Sequence, residues 1–141
     1  MKSLRLAFFG VCLSAWMTLY SSGLWAQQSW AFEAVTPAIY SLDEPIVQRF
    51  NLADTGQVVL PNQSLNQIMV QILPSAAAFI ESYLCVNDTS HCVYIQGGRI
   101  YTQAFSQYSA NDTVLVVHRV RNWSGALAPI FIKTQVNLWW Q

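Results

Sequence analysis

Hydrophobic and polar side chains alternate along most of the chain after residue 27, a pattern typical of strands with one buried face. One face of segment 113–121 carries Val114, Val116, His118 and Val120, and the other carries Leu115, Val117, Arg119 and Arg121. Similar alternation predicts further strands at 30–35, 46–52, 57–60, 65–73, 79–86, 91–96, 99–105 and 130–140. In the last of these the phase changes, which predicts a bulge near Thr134.

The segments between these strands are rich in Gly, Asn, Asp and Ser, the residues that favour turns. Four of them contain Asn-x-Ser/Thr sites, which mark exposed turns and would carry sugar only in a eukaryotic secretory protein. These sites begin at Asn62, Asn87, Asn111 and Asn122. Many short strands without a helical window predict an all-β chain, a single antiparallel β-sandwich with no linker or repeat.

The first 26 residues have the order of a secretory signal peptide. Lys2 and Arg5 precede an uncharged, largely apolar stretch over 6–20, and small residues lie before Gln27. A membrane anchor is the alternative, but serine and threonine interrupt the stretch, and a spanning helix needs about 20 predominantly apolar residues. We expect cleavage after Ala26, with cleavage after Gly23 as the alternative, and an exported domain at 27–141 without a membrane span.

Composition excludes two broad classes of protein. Hydrophobic residues make up 53% of the chain and charged residues 10%, which argues against intrinsic disorder. Beyond residue 26, five Lys and Arg face seven Asp and Glu, a net charge of −2. Proteins that bind nucleic acids usually carry an excess of Lys and Arg, which releases counterions from the phosphates. This chain has no such excess, so we expect no nucleic-acid partner.

Two cysteines lie in the expected exported domain, and their spacing predicts a disulfide. If a hairpin turn centres on Asp88 and Thr89, Cys85 lies directly opposite Cys92 on the neighbouring strand. An even cysteine number in an exported protein favours a structural bond. A catalytic redox pair is the alternative and would normally show a tighter Cys-x-x-Cys spacing.

The candidate catalytic and metal-binding residues are few. His91 and His118 have no second ligand at metal spacing, and zinc usually needs three or four protein ligands. His118 falls on the apolar face of its strand, where a hydrogen-bonded core histidine is the commoner outcome. Asp43 and Glu44 lie in a loop and are expected to be solvated. The sequence therefore predicts no enzyme, no metal and no cofactor.

Arginine and tryptophan near the C-terminus form the candidate partner-binding surface, because these residues are typical interface anchors. The candidates are Arg119, Arg121, Trp123, Trp139 and Trp140. Adjacent strand residues point to opposite faces, so one of Trp139 and Trp140 should face solvent. Edge packing over an open sandwich end is an equal alternative for these tryptophans, and the opposite face around Arg49 and Glu81 is the next candidate.

The C-terminal half resembles the periplasmic flagellar accessory family FlhE over about the last 75 residues. The resemblance lies in Tyr83-Leu84-Cys85, Cys92-Val93-Tyr94-Ile95 followed by Gly97-Gly98, Val114-Leu115-Val116-Val117, and a closing run from Pro129-Ile130-Phe131-Ile132-Lys133 to Val136-Asn137-Leu138-Trp139. Six residues separate Cys85 and Cys92 in this chain, whereas the resemblance implies a shorter loop between the two cysteines.

This resemblance implies a non-enzymatic periplasmic β-sandwich that binds flagellar structural or export proteins. Members are thought to limit proton leakage through the export apparatus, or to act as chaperones against flagellar assembly in the periplasm. Two other classes stay open, a fimbrial or pilus-type subunit and a secreted hydrolase or enzyme inhibitor. A pilus-type subunit would expose an unfinished edge for strand pairing in trans.

Overall fold

A computed structural model describes residues 27–141, so the predicted signal peptide at 1–26 lies outside the described residues. The described part is an antiparallel β-sandwich with no α-helix. This confirms the predicted fold class. No helix in this part of the chain is long and apolar enough to cross a membrane.

Eight strands build the sandwich, and most coincide with the predicted segments. They are β1 (Gln28–Val35), β2 (Ile46–Phe50), β3 (Leu65–Pro74), β4 (Phe79–Val86), β5 (Cys92–Tyr94), β6 (Arg99–Thr102), β7 (Val114–Asn122) and β8 (Ile132–Trp140). The first sheet has the order β1-β8-β3-β6, and the second has the order β2-β7-β4-β5. All strand pairs are antiparallel.

The core lies between the inner faces of the two sheets. On β8 the inward positions alternate without interruption from Ile132 to Trp140, and all of them are buried. On β7 the inward positions run from Val114 to Val120 and meet them from the second sheet. Burying one such large apolar side chain stabilises the fold by about 1.5–3 kcal/mol, so the alternation itself holds the two sheets together.

Two details of the predicted strands are wrong. Segment 57–60 is not a strand; Leu52–Thr55 forms a 3-10 turn before it, and Val58 and Leu60 are largely exposed. The predicted bulge near Thr134 does not exist either, since Thr134 pairs in regular register with both neighbouring strands. Thr134 is a polar residue at a buried, inward-facing position of β8. In the sequence, a polar residue at an inward position looks the same as a change in the alternation.

The predicted disulfide is present and joins the two strands of the β4–β5 hairpin. Cys85 and Cys92 are register partners with Cα atoms 4.2 Å apart. Cys85 is buried and Cys92 is exposed. Because β5 has only three residues, the covalent bond fixes the pairing of a strand that has few backbone hydrogen bonds of its own.

Candidate functional site: the outer face of the second sheet

The centre of the sandwich holds a polar network around His118. The ring is fully buried, and its Nδ1 lies 2.8 Å from the Ser82 hydroxyl oxygen. Its Nε2 lies 3.0 Å from Gln48 Oε1 and 2.9 Å from Thr134 Oγ1. Ser82 and Gln48 belong to the strands beside β7, whereas Thr134 comes from the opposite sheet. His118 therefore joins the two sheets through hydrogen bonds, as expected for a core histidine.

The protonation of His118 follows from this environment. Burial lowers the pKa of the imidazole from 6.5 to about 4, so the ring is neutral near pH 7. Gln48 Oε1 can only accept, which places the proton on Nε2 and leaves Nδ1 to accept from the Ser82 hydroxyl. A neutral histidine with both ring nitrogens bonded stabilises the interior without burying a charge.

A serine–histidine pair also occurs in nucleophilic catalysis, but this one is arranged for structure. Ser82 is only 3% exposed, at the base of a cavity of about 350 Å³ between β3, β4 and the β5–β6 connection. The far nitrogen of His118 meets a glutamine and a threonine, where a triad has a carboxylate to stabilise the imidazolium. With a pKa of about 4 the ring is a weak base at neutral pH.

The five predicted partner-binding residues do not form one surface. Arg119 and Arg121 lie on the outer face of the second sheet, on β7. Trp139 lies on the outer face of the first sheet, edge-on to Tyr101 with ring centroids 5.9 Å apart. Trp123 lies in the connection after β7, half-buried against the core. The structure thus separates the two arginines from the half-exposed Trp139 by the thickness of the sandwich.

Trp140 is the clearest correction among these residues. It points inward at the end of β8 and is 1% exposed, so a partner cannot reach it on the folded protein. Its neighbour Trp139 is half-exposed, which confirms that only one of the pair faces solvent. Trp140 is a core residue, and the candidate surface loses it.

The alternative candidates Arg49 and Glu81 lie on the same outer face as Arg119, and not on the opposite face of the sandwich. Glu81 is the register partner of Arg119, and Arg49 is the partner of Leu115, four residues earlier on β7. The strand order β2-β7-β4 brings the two sets together. Sequence periodicity could not reveal this, because it does not show which strands share a sheet.

Arg121 is held by two carboxylates on this outer face. Its Nε lies 2.8 Å from Glu81 Oε2, and its Nη1 lies 2.8 Å from Asp43 Oδ1. Hydrogen bonds to Asp43 and then to Glu81 raise the pKa of this guanidinium. Arg121 therefore uses its charge for ion pairs within the chain. These ion pairs connect the loop before β2, through Asp43, with β4, through Glu81.

Arg119 differs from Arg121 because no carboxylate is left for it. Its cross-strand partner Glu81 accepts a hydrogen bond from Arg121 at Oε2, and no ion pair among residues 27–141 includes Arg119. The Nε atom of Arg119 is buried and has no hydrogen-bond acceptor in the described part of the chain. We call the depression beside it, of about 330 Å³, the Arg119 hollow; it is lined by Tyr83, Thr89, Cys92, Val117 and Arg119.

Sequence reasoning found the arginines and the disulfide but missed Tyr83 and Val117 as walls of this hollow, and Ser82, Gln48 and Thr134 as partners of His118. Tyr83 and Val117 had a usable signal, since both fall in the outward phase of their strands. The His118 partners fall in inward phases, where a polar residue signals a buried network. Within residues 27–141, no group of three or more His, Cys, Asp or Glu side chains is placed to hold a metal ion.

Comparisons with known proteins give a likeness in fold. No protein-family model matches the chain, and no curated protein is detectably similar to it in sequence. A solved crystal structure of FlhE is similar with a TM-score of 0.57 and 16% sequence identity, over 82% of this chain and 97% of the FlhE chain. At this identity the likeness shows the fold alone. The chain has an FlhE-like fold.

Proposed function

We propose that this protein is a non-enzymatic periplasmic flagellar accessory protein that binds a flagellar structural or export protein. The observation that carries the proposal is the fold likeness to FlhE, which spans 97% of that chain. The sequence resemblance adds to it, because its motifs fall on β4, β5, β7 and β8 and include the bonded cysteines.

The finer role has two forms. The protein either keeps flagellar parts from assembling in the periplasm, as a chaperone, or limits proton leakage through the export apparatus. Both need a surface for a protein partner and no reaction centre. The outer face of the second sheet supports this, because Arg119 has polar bonding capacity that the described chain does not use.

The fold also bears on the pilus-type alternative. Such a subunit leaves an inner strand to be supplied by its neighbour in the fibre. Here β8 is paired along its length with β1 on one side and β3 on the other. Both central strands of the first sheet, β8 and β3, therefore come from the chain itself, which favours the accessory role over a fibre subunit.

A chromosomal deletion tests the proposed function. We expect the deletion strain to form flagellar filaments in the periplasm or to acidify its cytoplasm when export is active, and we expect the full gene to restore the normal state. Electron microscopy and a cytoplasmic pH reporter give the two readouts and separate the chaperone role from the proton-leak role. Normal filaments and normal cytoplasmic pH in the deletion strain would contradict the proposal.

Cell fractionation tests the localisation in the same strains. We expect the restored protein in the periplasmic fraction, with a mass reduced by a cleaved signal peptide and with one disulfide. A full-length protein extracted only with membranes would overturn this part of the proposal.

A further inference from the structure

We propose that the Arg119 hollow, together with Arg49, binds an extended acidic segment of the partner protein, with one carboxylate on each arginine. This inference deepens the proposed function, on which it rests, by giving the chemistry of the partner. The occupant is a protein segment that carries Asp or Glu at two positions.

The first reason is the uncompensated guanidinium of Arg119. Register places Glu81 directly across from it, yet Glu81 bonds Arg121 at 2.8 Å. A buried guanidinium nitrogen without an acceptor is costly, and a carboxylate is the acceptor that fits its planar fork best. The described chain places no carboxylate within ion-pair distance of Arg119, so a ligand carboxylate that enters the hollow gains a charge-assisted interaction with this guanidinium.

The second reason is the shape beside this group. Two other buried side-chain nitrogens lack acceptors, Gln48 Nε2 and Trp140 Nε1, but both belong to residues buried in the core and neither lines this hollow. Arg119 is the one of the three that borders this depression of about 330 Å³. Tyr83 and Val117 line this depression and bring largely apolar side chains beside the arginine, and such surroundings strengthen an ion pair.

The third reason is a second arginine without an ion pair on the same face. Arg49 is exposed and lies across from Leu115, four residues along β7 from Arg119. At about 3.3 Å per residue along a strand and about 4.8 Å between strands, the two Cα atoms are about 14 Å apart. An extended peptide covers this distance in about four residues.

An apolar row lies between the two arginines. Val47 and Val117 are register partners on the outer face, and Val47 is 40% exposed. In an extended peptide the residue midway between two acidic residues points to the same side as they do. The surface therefore fits a segment with acidic, apolar and acidic residues at alternate positions.

Charge elsewhere on the domain strengthens the choice of this face. Residues 27–141 contain five Lys and Arg against seven Asp and Glu, so the domain as a whole does not attract an acidic segment. Lys133 is paired with Glu33, and Arg121 is paired twice. Arg49 and Arg119 are the two arginines on the second sheet that no carboxylate of the described chain neutralises. Arg99 also has no ion pair within residues 27–141, but it is the one arginine of the first sheet, whereas Arg49 and Arg119 lie together on one face of the second sheet and can hold two carboxylates.

A synthetic peptide tests the inference on the protein purified from cells that express the full gene. The probe carries two glutamates four positions apart, a valine midway and serines elsewhere, and its control carries glutamines in place of the glutamates. We expect the acidic probe to shift the Arg119 Nε–H resonance in the nuclear magnetic resonance spectrum. We also expect Arg119→Gln to weaken binding by at least about tenfold, and Arg49→Gln by less.

Arg99→Gln is the matched control, because Arg99 is an exposed arginine on the outer face of the first sheet. It should leave peptide affinity unchanged. Equal binding of the glutamine peptide, or equal loss in Arg99→Gln and Arg119→Gln, would overturn the inference. Inorganic phosphate or anionic phospholipid vesicles that displace the probe through Arg119 at equal concentration would also overturn it, by showing a general anion or membrane site.

The cellular test separates this inference from the proposed function. If the deletion strain shows the flagellar defect but Arg119→Gln restores it fully, the acidic-segment inference fails and the proposed function stands. If the deletion shows no flagellar defect while the probe still binds through Arg119, the proposed function fails and the site itself stands.

Discussion

His118 and Arg119 are adjacent on β7, but they meet opposite surroundings. His118 points inward, is neutral, and has partners for both ring nitrogens within the chain. Arg119 points outward, is charged, and keeps a buried nitrogen without an acceptor in the described part of the chain. Groups that are satisfied internally serve stability, whereas an unsatisfied group beside an open hollow is suited to a ligand.

A second adjacent pair, on β8, repeats the comparison with apolar side chains. Trp140 fills the core at 1% exposure, whereas Trp139 rests edge-on against Tyr101 and is half-exposed. One strand thus carries a packing residue and a surface residue of the same type side by side. In each pair, a mutation of the inward residue can be compared with a mutation of its outward neighbour on the same strand.

Trp140→Ala should have the largest effect on stability, because it empties a large volume in a packed core. We expect the free energy of unfolding to fall by about 3–5 kcal/mol. Trp139→Ala, the matched control, should cost less, because Trp139 is partly exposed and its removal leaves no enclosed cavity. Urea denaturation followed by fluorescence measures both. Equal losses in the two variants would contradict the inner and outer assignment on β8.

Acid should have the second-largest effect on stability, because it protonates His118 in the inner hydrogen-bond network. The folded pKa of His118, about 4, lies below its unfolded value of 6.5, so the unfolded chain binds the proton more readily. The stability from the neutral ring is therefore complete above pH 6.5 and is lost as pH falls towards 4. We expect a loss of about 3 kcal/mol across this window, measured by urea denaturation at each pH.

Two histidine variants isolate the source of this pH dependence. His118→Gln removes the titrating ring and should flatten the slope between pH 6.5 and 4, even though it also lowers stability at pH 7. His91→Asn changes an exposed histidine and should keep the slope. A slope that survives in His118→Gln but disappears in His91→Asn would show that the buried ring is not the sensor.

Loss of the disulfide should have a smaller effect. The bond closes a short loop with a sequence separation of seven, so Cys85→Ala with Cys92→Ser should cost about 2 kcal/mol without abolishing the fold. The unmodified protein under reducing conditions should lose a similar amount. Circular dichroism and urea denaturation give the readouts. Loss of all β signal in the double variant would show that folding itself requires the bond.

Much of this architecture follows from alternation along single strands. The inward and outward phases of β7 and the opposition of Cys85 and Cys92 need only local sequence, and both were predicted correctly. Thr134 was misread because a polar side chain at a buried position looks like a slip of phase. Thr134 is polar at this position because it hydrogen-bonds His118 on the opposite sheet. The sequence around Thr134 gives no sign of that long-range contact.

The candidate site depended more strongly on long-range pairing. Arg119 and Arg121 share one face of β7, but only the strand order shows that Arg121 takes Glu81 and leaves Arg119 without a carboxylate. Arg49 joins them because β2 pairs with β7. The sequence indicated the residue types of a binding surface, while the sheet topology decided which of them lie together.

Arg119→Gln tests the central claim most directly, when its stability and its function are measured on the same protein. If the outer face of β7 serves binding, the urea midpoint should stay within error of the unmodified protein while the variant fails to restore the flagellar deletion strain. Arg99→Gln should match the unmodified protein in both measurements. Full restoration by Arg119→Gln, or a loss of function that follows only from a lowered urea midpoint, would contradict the account.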